Sequence, residues 1–240
     1  MIEQLLRLNR QVTRIELKWV LISIAVTVLA GIWRQEVFSA WVLIPFILSV
    51  AVSNNYLIAQ SRTKKFKKIE ALRMDNVFWS RLQQKYPQIG LKQRRLIEEG
   101  FKDYLSLHAM NKRAFAMPSN AVDALWHAML EFPDRYEQLC KQALGRKLNH
   151  HPYTPNTVQA SADDKEKQLL EAWRYACMLH GFNPQNTTQL PRLFAIDAAL
   201  GWTDGQLYDL NKITDNYKQY LKDQSSSSCG SSCGSSCGGD

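Results

Sequence analysis

Two pairs of side chains in the middle of the chain have the types and spacing of metal-binding residues. Asp123 and His127 stand four residues apart, Tyr136 and Cys140 do the same, and His150 follows in a proline-containing stretch. Residues four apart in a helix lie on one face. If the two helices run antiparallel, His127, Cys140 and His150 converge, and zinc accepts such nitrogen and sulfur ligands. Asp123 would then orient a ligating imidazole or complete the site itself.

The same residues have a structural interpretation, which their spacing favours over a metal site. In it, Asp123 fixes His127 through a hydrogen bond. Trp126, Tyr136 and Cys140 then pack in the core of the domain. The interval from His127 to Cys140 matches no standard zinc pattern, and the sequence has no C-x-x-C or H-x-x-x-H pair. A nucleophilic pair of Cys140 and His127 is a third interpretation, for which the sequence offers no identifiable third partner or oxyanion element.

The C-terminal residues 224–240 form a second unusual segment, composed almost entirely of serine, cysteine and glycine. Such a composition cannot bury a core and predicts disorder. Cys229, Cys233 and Cys237 recur every four residues. In a reducing compartment they would be free thiols able to bind zinc or copper(I). Crosslinking between chains and acylation near a membrane are alternative uses of these thiols.

Two apolar segments near the N-terminus predict how the rest of the chain is anchored. Residues 17–34 and 38–59 are both candidates for transmembrane helices, since a bilayer core needs about 20 apolar residues. The few residues between them predict a tight transmembrane hairpin over 17–60, preceded by an amphipathic segment over 1–16. The alternatives are a cleaved signal peptide and a single span with the first segment buried or interfacial.

The net charge of +8 belongs mainly to the flanks of these apolar segments. Residues 1–18 carry +2 and residues 61–73 carry +5, which leaves +1 for residues 74–240. Because lysine and arginine collect on the cytoplasmic side, the chain is predicted to be a multi-pass protein of the inner (plasma) membrane with both termini in the cytoplasm. The near-neutral remainder makes nucleic acid an unfavoured partner.

A basic juxtamembrane helix is predicted over residues 61–85. Its lysines are expected to bind anionic lipid head groups of the bilayer. They are Lys64, Lys65, Lys67 and Lys68. A role in setting membrane orientation alone is the alternative interpretation.

The remaining residues, 86–223, predict a multi-helix domain, because apolar residues recur at helical spacing and no alternating strand pattern occurs. Proline, glycine and N-cap residues separate the helices. The helices are expected at 91–107, from 118–120 onward, and at 133–145, 163–181, 191–200 and 204–221. His108, Cys177 and His180 lie in helical stretches and are interpreted as packing residues. The fold class is therefore all-α, with a transmembrane hairpin, a soluble helical domain and a disordered tail.

A family resemblance lies in the stretch from Phe115 to Pro152. The residues that carry it are Pro118-Ser119, Val122-Asp123, Trp126-His127, Tyr136, Cys140, Gly145 and His150. This pattern resembles the core of the glycine-rich domain-containing protein-like family, which occurs in bacteria and plants. The resemblance implies no established activity, although plant members are linked with RNA binding and glycine-rich segments.

Together these features favour a non-enzymatic membrane protein whose helical domain scaffolds an unidentified protein partner. The cysteine tail would serve as its metal- or thiol-reactive arm. A metal-dependent enzyme or metal-binding domain built on the set from Asp123 to His150 is the first alternative. An RNA-associated protein is the second, and it rests only on the family resemblance.

Overall fold

The fold is that of a computed structural model, which describes residues 1–11, 16–34, 40–149 and 162–228. These residues contain ten α-helices and no β-strand, which confirms the all-α prediction for this part of the chain. The chain divides into two compact units. The first, called here the apolar hairpin unit, comprises residues 12–72. The second, the helical domain, combines residues 1–11 with residues 73–240.

The helices belong to both units. In chain order they are α1 (Ile2–Leu6), α2 (Leu17–Arg34), α3 (Ala40–Ala71), α4 (Asn76–Lys85), α5 (Leu91–Met110), α6 (Asn120–Leu130), α7 (Pro133–Leu144), α8 (Ala162–Leu179), α9 (Arg192–Leu200) and α10 (Leu210–Ser228). Helices α2 and α3 form the apolar hairpin unit, and the others form the helical domain. The short helix α1 lies in the segment 1–16, which the sequence placed outside the domain.

The basic juxtamembrane helix differs from its predicted course over 61–85. Its first part is the end of the 32-residue helix α3, which stops at Ala71. A new helix, α4, begins at Asn76. The side chain of Asp75 caps α4 by accepting a hydrogen bond of 3.1 Å from the Val77 N–H, and such a cap stabilises a fresh helix start.

The C-terminal helix extends further than expected. Helix α10 runs to Ser228, into the segment predicted to be disordered. The hydroxyl of Ser225 donates to the carbonyl of Lys222 at 2.7 Å, and that of Ser226 donates to the carbonyl of Asp223 at 3.0 Å. Serine can therefore satisfy carbonyls of its own helix instead of ending it. The three tail cysteines lie outside the described residues.

The apolar hairpin unit consists of two helices that pack against each other, α2 and α3. Only 6% of the apolar window in α3 is buried, whereas the core helix of a soluble protein is mostly buried. Leu21, Ile32 and Ile47 are each more than half exposed. Among the described residues, α3 is the one helix long and apolar enough to cross a membrane, and the apolar part of α2 is shorter.

Helix α5 is the centre of the helical domain and packs against α1, α6, α7, α8 and α9. Nearly every residue from Leu96 to Ala109 is buried. Gly100 allows the neighbouring helices to approach closely, since a Cβ added there would lie 2.8 Å from Cγ2 of Val122 and still closer to Ile196. The close approach of α6 and α9 to α5 therefore depends on the missing side chain.

A buried group of charges joins α5 to distant parts of the chain. The carboxylate of Asp103, fully buried on α5, accepts two hydrogen bonds from the guanidinium of Arg192, at 2.7 and 3.1 Å. Nε of Arg10 lies 2.7 Å from the same carboxylate, and Nε2 of His180 lies 3.3 Å from it. Burial alone would raise the pKa of Asp103, but the guanidinium groups of Arg10 and Arg192 outweigh it and hold the pKa well below its usual range.

The N-terminal residues 1–11 are thereby part of the helical domain. Arg10 also bonds to the carboxylate of Glu99 at 2.8 Å, and Leu5 is buried. The backbone takes part as well, because the N–H of Gln11 donates to the carbonyl of Leu179 at 2.7 Å. The segment that precedes the apolar hairpin unit is therefore folded into the domain that follows it.

We expect Asp103→Asn to lower the free energy of unfolding by about 3–5 kcal/mol, because it leaves buried guanidinium groups without a counter-charge. The matched control is Asp215→Asn, which removes a carboxylate from an exposed pair with Lys218 and should change stability by less than about 1 kcal/mol. Chemical denaturation of the full chain in detergent, followed by circular dichroism, measures both. Equal losses in the two variants would contradict the role given to Asp103.

Acid should remove the stability that the Asp103 carboxylate contributes to the folded state. A carboxylate whose pKa is lowered by folding stabilises the native state at pH values above its unfolded pKa of about 3.9. That stabilisation declines as the pH falls from there towards the folded pKa. The difference between wild type and Asp103→Asn should therefore be full at neutral pH and shrink below about pH 4.

Candidate functional site

The predicted pair Asp123 and His127 lies on α6, whose start is held by a buried carboxylate. Asp197 on α9 accepts hydrogen bonds from the Ser119 hydroxyl at 2.6 Å and from the backbone N–H groups of Asn120 and Ala121 at 2.7 and 3.1 Å. The two backbone N–H groups would otherwise be unsatisfied at the helix N-terminus. The carboxylate therefore fixes where α6 begins, and with it the position of the pair one turn later.

Asp123 and His127 meet as their spacing predicted. Nε2 of His127 lies 3.3 Å from Oδ2 of Asp123. The side chain of His127 is 56% exposed and that of Asp123 is 33% exposed. The imidazole is therefore oriented by a carboxylate while one side of it stays open to solvent.

Cys140, the other half of the predicted metal set, is fully buried in the core of the domain. The indole N–H of Trp126 donates to the hydroxyl oxygen of Tyr136 at 2.8 Å, and that hydroxyl donates to the carbonyl of Leu148 at 2.7 Å. Burial raises the pKa of the Cys140 thiol, and the hydrogen bond with Tyr136 only partly offsets it. The thiol thus has the environment of a packing residue and lacks that of a nucleophile.

The described residues do not form the predicted metal site from Asp123, His127, Cys140 and His150. Within the described ranges, no three His, Cys, Asp or Glu side chains lie close enough together to hold a metal ion. His150 and the tail residues Cys229, Cys233 and Cys237 lie outside those ranges. Metal binding by zinc or copper therefore stays a prediction.

Cys140 should react slowly with iodoacetamide in the folded chain. A raised pKa leaves less thiolate, so we expect a rate at least about tenfold below that of glutathione at the same pH. Mass spectrometry of the peptide containing Cys140 measures the rate, and the same peptide in guanidinium serves as the unfolded control. Reaction of the folded chain as fast as glutathione would restore the nucleophile interpretation.

Elemental analysis separates the two predicted metal sites. If the tail thiols are the ligands, as we expect, bound zinc or copper is lost on truncation after Gln224 and unchanged in His127→Ala. Metal that survives truncation but is lost in His127→Ala would instead establish the folded site. An absence of metal from all three proteins would contradict both.

Two clefts of the helical domain meet at α6, where Asn120, Asp123 and His127 line both of them. The first, of about 550 Å³, extends towards the end of α4. The second, of about 620 Å³, is called here the basic cleft. Its lining includes five cationic side chains, and Asp123 is its one carboxylate among the described residues. The cations are Lys112, Arg113, Arg146, Lys147 and Lys165.

His108, which the sequence assigned to packing, lines the basic cleft. It is 7% exposed, and its ring lies between those of Tyr104 and Phe115, with centroids 4.8 and 5.1 Å away. Burial, together with the nearby charge of Arg146, lowers the pKa of His108 to about 4, so the imidazole is neutral at pH 7. Neither ring nitrogen has a hydrogen-bond partner in the described part of the chain.

One sequence pattern accompanies the basic cleft, but it can be interpreted only once the structure is known. It consists of two basic pairs, each just after a helix. Lys112-Arg113 follows the end of α5, and Arg146-Lys147 follows the end of α7. Cations at a helix C-terminus have an ordinary explanation, because they interact favourably with the helix dipole. Nothing in the spacing of two pairs more than thirty residues apart indicates that they share a cleft.

The fold and this site define an all-helical domain, with a cleft lined by cations, joined to a pair of apolar helices. The chain belongs to the UCP032817-like family, whose model matches residues 64–234. No curated protein and no solved structure matched the chain. The family description names no activity. Nothing in it connects the family with glycine-rich domain-containing proteins, and the resemblance to those proteins therefore stays a prediction.

Proposed function

We propose that this protein is a membrane-anchored scaffold, in which α2 and α3 both cross the bilayer and hold the helical domain at its cytoplasmic face. The observation that carries this proposal is the ion pair between Arg10 and Asp103, at 2.7 Å. It joins residues 1–11 to the domain that continues at residue 73. A single crossing between residues 12 and 72 would place these two parts on opposite sides of the membrane, and this is the reason for proposing two crossings.

The helix lengths fit two crossings. At 1.5 Å per residue, the 18 residues of α2 span about 27 Å, close to the hydrocarbon thickness of about 30 Å. The 32 residues of α3 span about 48 Å, which leaves several turns outside the hydrocarbon core. The lysines from Lys64 to Lys68 belong to those last turns, where they favour the cytoplasmic side and anionic head groups.

A binding role for the domain agrees with the chemistry of its site better than a reaction through Cys140 does. The Cys140 thiol is buried and its pKa is raised. The exposed groups, His127 among them, line open clefts that combine polar and apolar surface, as suits the recognition of a ligand or partner.

Labelling of singly introduced cysteines tests the proposed topology. The three tail cysteines are replaced by serine, the buried Cys140 and Cys177 are kept as an unreactive background, and one cysteine is introduced as Arg7→Cys, Ser39→Cys or Lys141→Cys. A membrane-impermeant maleimide should label position 39 in intact spheroplasts, because it lies between the two crossings. Positions 7 and 141 should become labelled only after the membrane is permeabilised.

Each alternative topology gives a different pattern of labelling. Positions 7 and 141 labelled from opposite sides would establish a single span and contradict the proposal. The same accessibility at all three positions would mean that the hairpin does not cross. Labelling of 7 and 141 from outside, with 39 protected, would preserve the hairpin and reverse its orientation.

A further inference from the structure

The charge of the basic cleft differs from that of the domain around it. The helical domain, residues 1–11 and 73–240, carries a formal net charge of only +3. The lining of the cleft nevertheless brings together five cations and one carboxylate among the described residues. These cations come from three separate segments, which follow α5, follow α7 and belong to α8. Like charges gathered in this way repel one another unless an anion lies between them.

The carboxylates of the domain neutralise only part of this charge. Arg113 lies 3.7 Å from Glu171, and Lys147 lies 3.9 Å from Glu137, both near the outer limit of an ion pair. No ion pair involves Lys112 or Arg146 in the described ranges. Nη2 of Arg146 is buried and has no hydrogen-bond partner there either. A buried guanidinium donor without an acceptor is unfavourable, so an acceptor from outside the chain would stabilise it.

His108 adds a second unsatisfied group to the same cleft. Its side chain is more than nine-tenths buried, yet both ring nitrogens lack a hydrogen-bond partner among the described residues. The neutral imidazole offers one N–H donor and one acceptor. Because its ring is held between Tyr104 and Phe115, it can make a directed hydrogen bond with little loss of conformational entropy.

We propose that the basic cleft binds a small molecule that carries a phosphate group, with Arg146 and Lys112 as its main cationic contacts and His108 as a neutral hydrogen-bond partner. A guanidinium fork matches the geometry of phosphate oxygens. Phosphate is favoured over a single carboxylate because two of the lining cations, Lys112 and Arg146, have no ion pair among the described residues. The volume of about 620 Å³ lies within the range of about 300–1,000 Å³ that is typical of small-molecule sites.

This inference goes beyond the scaffold role and does not depend on the number of membrane crossings. All the residues that carry it belong to the helical domain. The phosphate could be part of a soluble metabolite or of a phospholipid head group, and both sources share the chemistry that the cleft recognises. The two sources are therefore separate arms of one experiment.

Calorimetric titration of the full-length protein in an uncharged detergent tests the inference. The probes are inorganic pyrophosphate and water-soluble dihexanoyl phosphatidic acid, each in buffer free of divalent cations. Arg146→Gln and Lys112→Gln should each weaken binding at least about tenfold, because each removes a charge-assisted contact. The matched control, Lys141→Gln, removes an equal charge from the exposed face of α7 outside the cleft and should change affinity by less than about twofold.

The result identifies the source of the phosphate as well as the site. Tighter binding of pyrophosphate indicates a soluble ligand, and tighter binding of phosphatidic acid indicates a lipid head group. Either result supports the inference if it is sensitive to Arg146. Equal affinities in wild type, Arg146→Gln and Lys112→Gln would overturn it, as would no binding of either probe at millimolar concentration.

A nucleic-acid partner is a different class of ligand and gives a different result. A twelve-nucleotide single strand would bind with a strong dependence on salt if the cleft were part of a nucleic-acid surface. Binding of this strand much tighter than pyrophosphate would overturn the small-molecule inference. A second measurement detects the site directly, because the ¹⁵N signals of the His108 ring should shift on addition of pyrophosphate and remain unchanged in Arg146→Gln.

Discussion

The carboxylate of Asp103 is the group on which the arrangement of this protein depends. It is fully buried in the central helix, and a buried carboxylate is tolerated only when cations and hydrogen-bond donors surround it. Those partners all lie far from Asp103 in sequence: Arg10 before the apolar hairpin unit, His180 after α8, and Arg192 at the start of α9. The need to neutralise one charge therefore joins the N-terminal segment to the domain.

This joining bears on the proposed membrane anchor, although Asp103 is not part of it. Hydrophobicity alone left a hairpin and a single span open, because α2 is short for a crossing. Residues 1–11 and the residues from 73 onward form one folded unit, so they would lie on the same side of any membrane that the chain crosses. A polar contact in the helical domain is thus the basis for proposing the two crossings that the apolar segments only suggest.

A second buried carboxylate organises the clefts in the same way. Asp197 holds the start of α6, and α6 carries the Asp123–His127 pair to the place where the two clefts meet. Carboxylates that face inward leave cations elsewhere without close partners. The domain can therefore carry a formal net charge of only +3 and still have a strongly positive cleft, which explains why a count of charges did not reveal the cleft.

The sequence by itself determined the features that depend on neighbours within a few residues. Helical periodicity, the apolar segments and the contact between Asp123 and His127 all belong to this class, because helix geometry brings together residues four apart. It missed the break before α4, where the Asp75 cap was not recognised. Only the tertiary structure decided which charges are neutralised and which lie together in one cleft. Arg10, which pairs with Asp103, is an example of the first, and Arg146, near His108, is an example of the second. Coulomb energy depends on distance in space, and for residues far apart in sequence that distance is set by the packing of the helices.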